Sequence, residues 1–363
     1  MLPRLPDARR TRTLAALLAA HLLQLLAYMS MLYDASMARA VPVPYHTSAL
    51  SGQAWVDELY HSQHPDRILC ELGVRRHIFN ILISELRWMG YTESRHISLE
   101  EKLAIFLYTC VTGLSIRHVG ERFQHSNETI SIYFKEMLDA FSGPNFYNRY
   151  VHLPTATTPQ PQHFANNPIF MPFFKDALGA IDGSHIPSWP SKEERQYHRD
   201  RKGQVSKTSF AAAPLICGSN MQLLDMMAQQ PMQQYRAPVN AQELFNLRHA
   251  QARNVIERIF GVLKKRWACL CTPLKYNMTI QARVPSALIA IHNLILRYDP
   301  VEATDVLYNE DEDIWDPTPR NESAPDELSN QMAVPQAEQA EAEARRNAIA
   351  EAMWIQYQSY LNN

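Results

Sequence analysis

The chain has 363 residues, 46% of them hydrophobic, with a formal net charge of -2; that length suffices for two domains, or for one domain with appendages, and for a sizeable core. The near-neutral average hides an uneven distribution: Arg248 to Arg266 hold six Lys or Arg and one acid, whereas Val301 to Asn330 hold ten acids and one Arg. Five cysteines scattered along a long chain exclude a disulfide framework and point to a reducing compartment.

The first forty residues form an apolar leader. Between Arg12 and Asp34, "TRTLAALLAAHLLQLLAYMSMLYD" supplies about twenty uncharged residues after a basic start, the span of a membrane helix. His21 and Gln24 interrupt it, and no small-residue cleavage site follows. A membrane association through residues 13–33, a buried helix and a start assigned too early all stay open.

Prolines in "VPVPYH" place a boundary near Val41, and residues 41–154 read as a helical domain. Ser98 and Glu101 have capping-box spacing ahead of a helix with Leu99, Leu103, Phe106 and Cys110 on one face. A short helix over 116–123 follows. After "QHSN", Ser126 is placed to cap a third helix whose apolar positions are Ile130, Tyr133, Phe134, Met137, Leu138 and Phe141. Two helices on a tight polar turn, braced by a third, satisfy the requirements of a helix-turn-helix, in which Asn127, Thr129 and Ser131 would reach base edges and His125 or Arg122 would lie near phosphate. An ordinary three-helix bundle fits the same pattern, and the third helix is poor in Lys and Arg.

A Pro, Thr, Gln and Asn stretch over 155–167 reads as a linker. Beyond it, "LGAIDGSHI" sets Asp182 after a short apolar run, where a buried strand should end. Farther on, "ELFNLRHAQARNVIERIFGVLKKRW" has Ile256, Ile259, Phe260, Leu263 and Trp267 on a core-facing stripe, with Arg253, Glu257, Gly261 and Lys264 on the adjacent face. On residues alone, Arg253 and Glu257 make an ordinary helix pair worth about 0.2–0.5 kcal/mol. Residues 301–363 comprise an acidic linker and a closing helix with Ile349, Met353, Tyr357 and Tyr360 on a docking stripe. Zinc at Cys269, Cys271, His249 and His292, or a metal at His61 and His64, has little sequence support. No GxGxxG, Walker loop or nucleophile elbow occurs.

"FMPFFKDALGAIDGSHIP", "RKGQVS", "NAQELFNLRHAQARNVIERIFGVLKKRW" and "IAIHNLI", in that order, resemble the Harbinger (PIF) class of transposases and the nucleases derived from them, over residues 43 to 300. The resemblance implies an α/β (α+β) fold: an RNase H-like nuclease core over 155–300, here lacking internal strands, preceded by the all-α helix-turn-helix domain. It implies a metal-dependent DNA endonuclease of DDE type, in which two Asp and one Glu hold a pair of Mg or Mn ions. Asp182 matches the first acid and Glu257, 75 residues on, the last, with Arg253, Arg258, Lys264 and Lys265 then neutralising phosphates.

The second acid departs from the family pattern. No Asp-x-Gly-Tyr occurs between Gly203 and Asn240, and Asp225 is the only carboxylate there. The interval reads as a deletion, a frame shift or a misread intron. Cleavage is therefore expected to be reduced or absent, and a catalytically inactive DNA-binding remnant is the alternative. DNA is the expected partner, a separate DNA-binding protein is compatible with the family, and nuclear location follows from the substrate.

Overall fold

The computed structural model describes residues 8–38, 44–153, 155, 166–177, 179–198, 206–214, 237–299 and 336–361; within these, 8, 38, 179–182, 206–214, 253–258 and 336–337 are described by their backbone. The chain divides into Met1–Ala49 and Leu50–Asn363. In the first unit, helix α1 (Ala8–Ala38) is exposed along its length, and Arg9–Met37 is long and apolar enough to cross a membrane.

The second unit begins with seven helices: α2 (Gly52–His61), α3 (Pro65–Leu72), α4 (Arg76–Trp88), α5 (Leu99–Thr112), α6 (Ile116–Phe123), α7 (Asn127–Ser142) and α8 (Pro144–Tyr150). Their starts are written in the sequence. Ser51, Ser98 and Ser126 each accept a backbone N–H three residues on, and His64 caps α3 through Asp66 N, satisfying donors that the first turn leaves open. The apolar stripe foreseen on α7 is inside: Ile130, Phe134, Met137, Leu138 and Phe141 are buried, with Tyr133 packed at the edge. α5 is buried nearly all round, and even Glu101 and Lys102 lie inside.

The only strands among the described residues are β1 (Gly179–Pro187) and β2 (Ser206–Pro214), which pair antiparallel with Gly179 opposite Pro214 and Pro187 opposite Ser206. Described residues are thus mostly helical. One expectation needs correction. Asp182 stands fourth in a nine-residue strand rather than at its end, because pairing continues through "GSHIP". β2 lies in "SKTSFAAAP", whose Ala run lacks the alternation by which a strand is recognised.

Among the described residues three further helices follow, α9 (Ala241–Arg266), α10 (Met278–Tyr298) and α11 (Gln336–Leu361). The end of α9 and all of α10 share the core of α2–α8: Leu263, Trp267, Leu270, Leu274, Leu288, Ile291 and Ile295 join Phe79, Phe106, Phe134 and Phe141 in one cluster. α10 lies along α7 and α8, and α11 lies on α9. On α11, Ala350 and Met353 are buried and Tyr357 is half-buried, while Tyr360 remains exposed because the docked stripe ends a turn earlier.

Trp267 is completely buried beneath Gly73, the left-handed cap of α3 at φ 69. A Cβ on Gly73 would lie 3.0 Å from the Trp267 ring and 2.7 Å from Val111, so both backbone conformation and close approach require glycine there. The neighbouring Arg266 is buried too and donates from Nη1 to the Gly73 carbonyl at 3.2 Å. His292 of α10 is equally enclosed, and burial, helped by the Arg266 charge, pushes its imidazole down to about 3.

Cutting the indole away should be costly: Trp267→Ala is expected to destabilise by about 3–5 kcal/mol, read as a lower urea midpoint. His292 makes stability acid-sensitive with a definite sign. The unfolded imidazole takes a proton below its ordinary 6.5 while the folded one resists until about 3. The His292 contribution to stability is therefore constant above pH 6.5 and is lost as pH falls from 6.5 to 3, by up to about 1.4 kcal/mol per unit. His292→Leu should flatten that slope in urea titrations at stepped pH.

Candidate nucleic-acid and metal site

Two regions carry the residues singled out from sequence. The first is the turn between α6 and α7. Gln124 takes the left-handed conformation at φ 58, and His125 N donates to Gly120 O at 3.0 Å. A Cβ on Gly120 would stand 2.7 Å from the His125 carbonyl, which is why the tight turn carries glycine there. The His125 ring is drawn inward, its Nε2 2.9 Å from Oε1 of buried Glu101. Arg122 lies over the Trp55 ring at 4.9 Å. Both residues expected near phosphate thus also brace the turn.

The three side chains expected at base edges differ in placement. Asn127 is exposed. Thr129 is half-buried and shares a hydrogen bond with the Ser126 hydroxyl at 2.9 Å. Ser131 faces the chain ahead of α10, where its hydroxyl bonds Tyr276; burial pushes that phenol up to about 12, and the Ser131 bond pulls part of the way back. Tyr276 stacks on Phe134 at 4.8 Å, and Arg283 of α10 donates to Ser142 and pairs with Asp139. One flank of α7 is therefore covered by α10, leaving Asn127, Glu128, Ile132 and Lys135 on its exposed side. Pattern reading missed this cover because nothing in the period of α7 says which partner lies beside it.

The second region lies where α9 packs against β1. β1 carries Asp182 and α9 carries Glu257, Arg253 and Arg258, each placed by its backbone. Asp225 lies outside the described residues. Lys264, half-buried, donates from Nζ to the His185 carbonyl at 3.0 Å and so ties the last turn of α9 to the strand; Lys265 is exposed. At the other end of α9, Arg248 is buried between the Phe173 ring at 5.4 Å and Gln356 of α11, which lowers its pKa through desolvation. His249 stacks on Phe245 at 5.7 Å.

Among the described residues, no three His, Cys, Asp or Glu gather as metal ligands. The cysteines and histidines weighed for zinc make other contacts. Cys269 meets Cys110 in the core, where burial raises the Cys110 thiol well above its ordinary value, and Cys271 points at the Lys264 carbonyl. His61 and His64 serve helix ends, through Asp57 O and Asp66 N.

Residues 216–293 match the family model described as DDE superfamily endonuclease, and residues 47–143 match a domain of unknown function, DUF8040. The endonuclease match takes in Glu257 and begins after Asp182. No curated protein and no solved structure matches the chain. DDE superfamily endonucleases bind divalent metal; β1 and α9, the elements that carry Asp182 and Glu257, pack together, and a carboxylate is the donor type that a hard cation takes.

The α7 geometry separates two roles. Ser131→Ala should lower stability by about 1 kcal/mol through loss of the Tyr276 bond and leave DNA affinity unchanged. On the expectation that α7 enters a groove, Asn127→Ala should leave the melt unchanged and weaken sequence-specific DNA binding, measured by thermal denaturation beside fluorescence anisotropy.

Proposed function

We propose that this chain, in which a DDE superfamily endonuclease domain follows a DUF8040 domain, derives from a transposase of the Harbinger type and acts on DNA as a metal-dependent endonuclease with a weakened cutting site. The observation that carries this reading is the packing of α9 against β1, which brings together the elements bearing the first and last acids. From the Lys264 to His185 contact, Asp182 lies three residues back, about 10 Å along a strand. Glu257 lies seven residues back, about 10.5 Å along a helix. The acids thus lie at similar distances along their own elements from the contact that ties strand to helix.

Asp182 and Glu257 would then hold divalent metal, with Asp225 as the third acid, and the metal supplies activation of the attacking oxygen and charge neutralisation at the leaving one. The chain's own part is electrostatic and positional. Lys264 holds the strand to the helix, while Lys265, Arg253 and Arg258 offset phosphate charge on a helix whose other side is anchored in the core. The α6–α7 turn supplies the exposed Asn127 side to a groove. Nuclear location follows from the substrate, and a separate DNA-binding protein would supply target affinity that an acid-bearing α7 face lacks.

The second acid of the family pattern has no clear counterpart between Gly203 and Asn240. That gap favours one second reading, a DNA-binding remnant that does not cut.

Full-length protein should nick supercoiled plasmid slowly with Mn or Mg and stop when the metal is chelated. Asp182→Ala and Glu257→Ala should each abolish the nicking. Equal nicking by the wild type and Asp182→Ala removes the role of Asp182; DNA binding without any nicking selects the remnant.

A further inference from the structure

Trp189 stands two residues past the end of β1 and seven past Asp182. Its side chain is 47% exposed, an unfavourable place for a large indole that has no part in the core. Its backbone, in contrast, is clamped. Trp189 N donates to Gln281 Oε1 at 2.9 Å, and Gln281 Nε2 donates back to Trp189 O at 3.1 Å. Gln281 also bonds the carbonyl of Tyr276, the ring stacked on buried Phe134. The indole is thus mounted rigidly on the helical core while its surface faces outward.

Two cations from different segments flank it. The Arg195 guanidinium lies 5.2 Å from the ring centre and the Lys275 ammonium 5.5 Å, both within range of the ring's π cloud. The acids nearby do not cancel them equally. Glu194 is engaged with the Ser191 N–H and hydroxyl, Glu193 is exposed, and Lys192 is exposed on the same turn. An exposed indole with two cations over its ring suits a ligand with a flat π system joined to an anion, whose base takes a cation's place on the ring while its phosphate pairs with that cation. A nucleotide is that ligand: the base lies on the indole, and the phosphate reaches Arg195 or Lys275. Since every base has a π face, such a platform takes single strands with little sequence preference.

We propose that Trp189, with Arg195 and Lys275, is a stacking site for an unpaired nucleotide of a DNA strand lying beside β1. This rests on the DNA reading above but not on cleavage. No base or phosphate contact of this kind was visible in the sequence, because Arg195 and Lys275 are 80 residues apart and meet only through the fold.

The test is anisotropy of the full-length protein with a labelled single-stranded oligonucleotide and with the same sequence as blunt duplex, across a salt series. Trp189→Ala is expected to weaken single-strand binding roughly tenfold or more, to leave the salt slope unchanged and to affect duplex less; Trp189→Phe should recover most of the loss. The double variant Arg195→Ala with Lys275→Ala should reduce the slope by about 1.4, from about 0.7 for each cation. Equal single-strand affinity for the wild type and Trp189→Ala overturns the proposal, as does an equal loss on duplex. If Trp189→Ala fails to fold, the Phe variant and the double variant decide by the same readouts, an unchanged slope in the latter counting against the site. Wild type that binds no DNA overturns this site and the DNA reading together. Stacking without nicking leaves the site standing and removes only cleavage.

Discussion

The fit of Trp267 under Gly73 is the constraint on which the arrangement of the second unit depends. A left-handed glycine ends α3, and the ring packs against the space where a side chain would be. Arg266 then closes the contact from the next position by donating to the same residue's carbonyl. With that turn held, α9 leaves the helical body at a set place, and β1 takes its position from α9 through the Lys264 ammonium on the His185 carbonyl. The strand carrying Asp182 therefore owes its location to a tryptophan 85 residues later in the chain. An apolar side chain of that size, fully buried, outweighs any single polar contact at the surface.

Polar interlocks support the same frame where burial makes them effective. Glu85 receives Arg149 and the Tyr150 hydroxyl, joining α4 to α8. Lys102 reaches Glu136 and the Thr92 carbonyl while lying over Tyr133, joining α5 to α7. His77 and Arg75 meet Asp299 at the close of α10, where an acid at a helix C-terminus would otherwise oppose the macrodipole. Each leaves few buried charges without a partner, so these pairs specify which helices are neighbours more than they add stability.

This frame separates the two halves of the functional reading. The helical body, with α10 as part of its core, supplies a rigid surface, and the pieces to which the proposals assign DNA contact are the α6–α7 turn, the β1 hairpin, α9 and Trp189. α11 covers the first half of α9, at Arg248 and the Phe173 ring, and so leaves the second half to the strand. Glycine and serine at the turn, carboxylates on strand and helix, and cations along α9 are each unremarkable alone. The packing of the Asp182 strand on the Glu257 helix is what sets the proposed DNA-processing reading apart from a plain helical bundle.

Local physics was legible in the sequence. The Ser98 and Ser126 caps, the buried stripe of α7, the helix carrying Glu257 and the inward Phe260, Leu263 and Trp267 follow from hydrogen-bond needs and a 3.6-residue period, which act over a few residues. The motifs around Asp182 and Glu257 likewise carried the family resemblance. What the sequence could not decide was long-range: that α10 closes the core of the N-terminal helices, that Ser131 turns toward Tyr276, that Arg266 is buried while Lys265 is not, and that Asp182 sits within a hairpin. A period tells which face of a helix is apolar but not what covers it. Only tertiary packing chooses among faces of similar composition, because the free energy that selects them lies in contacts between residues far apart in the chain.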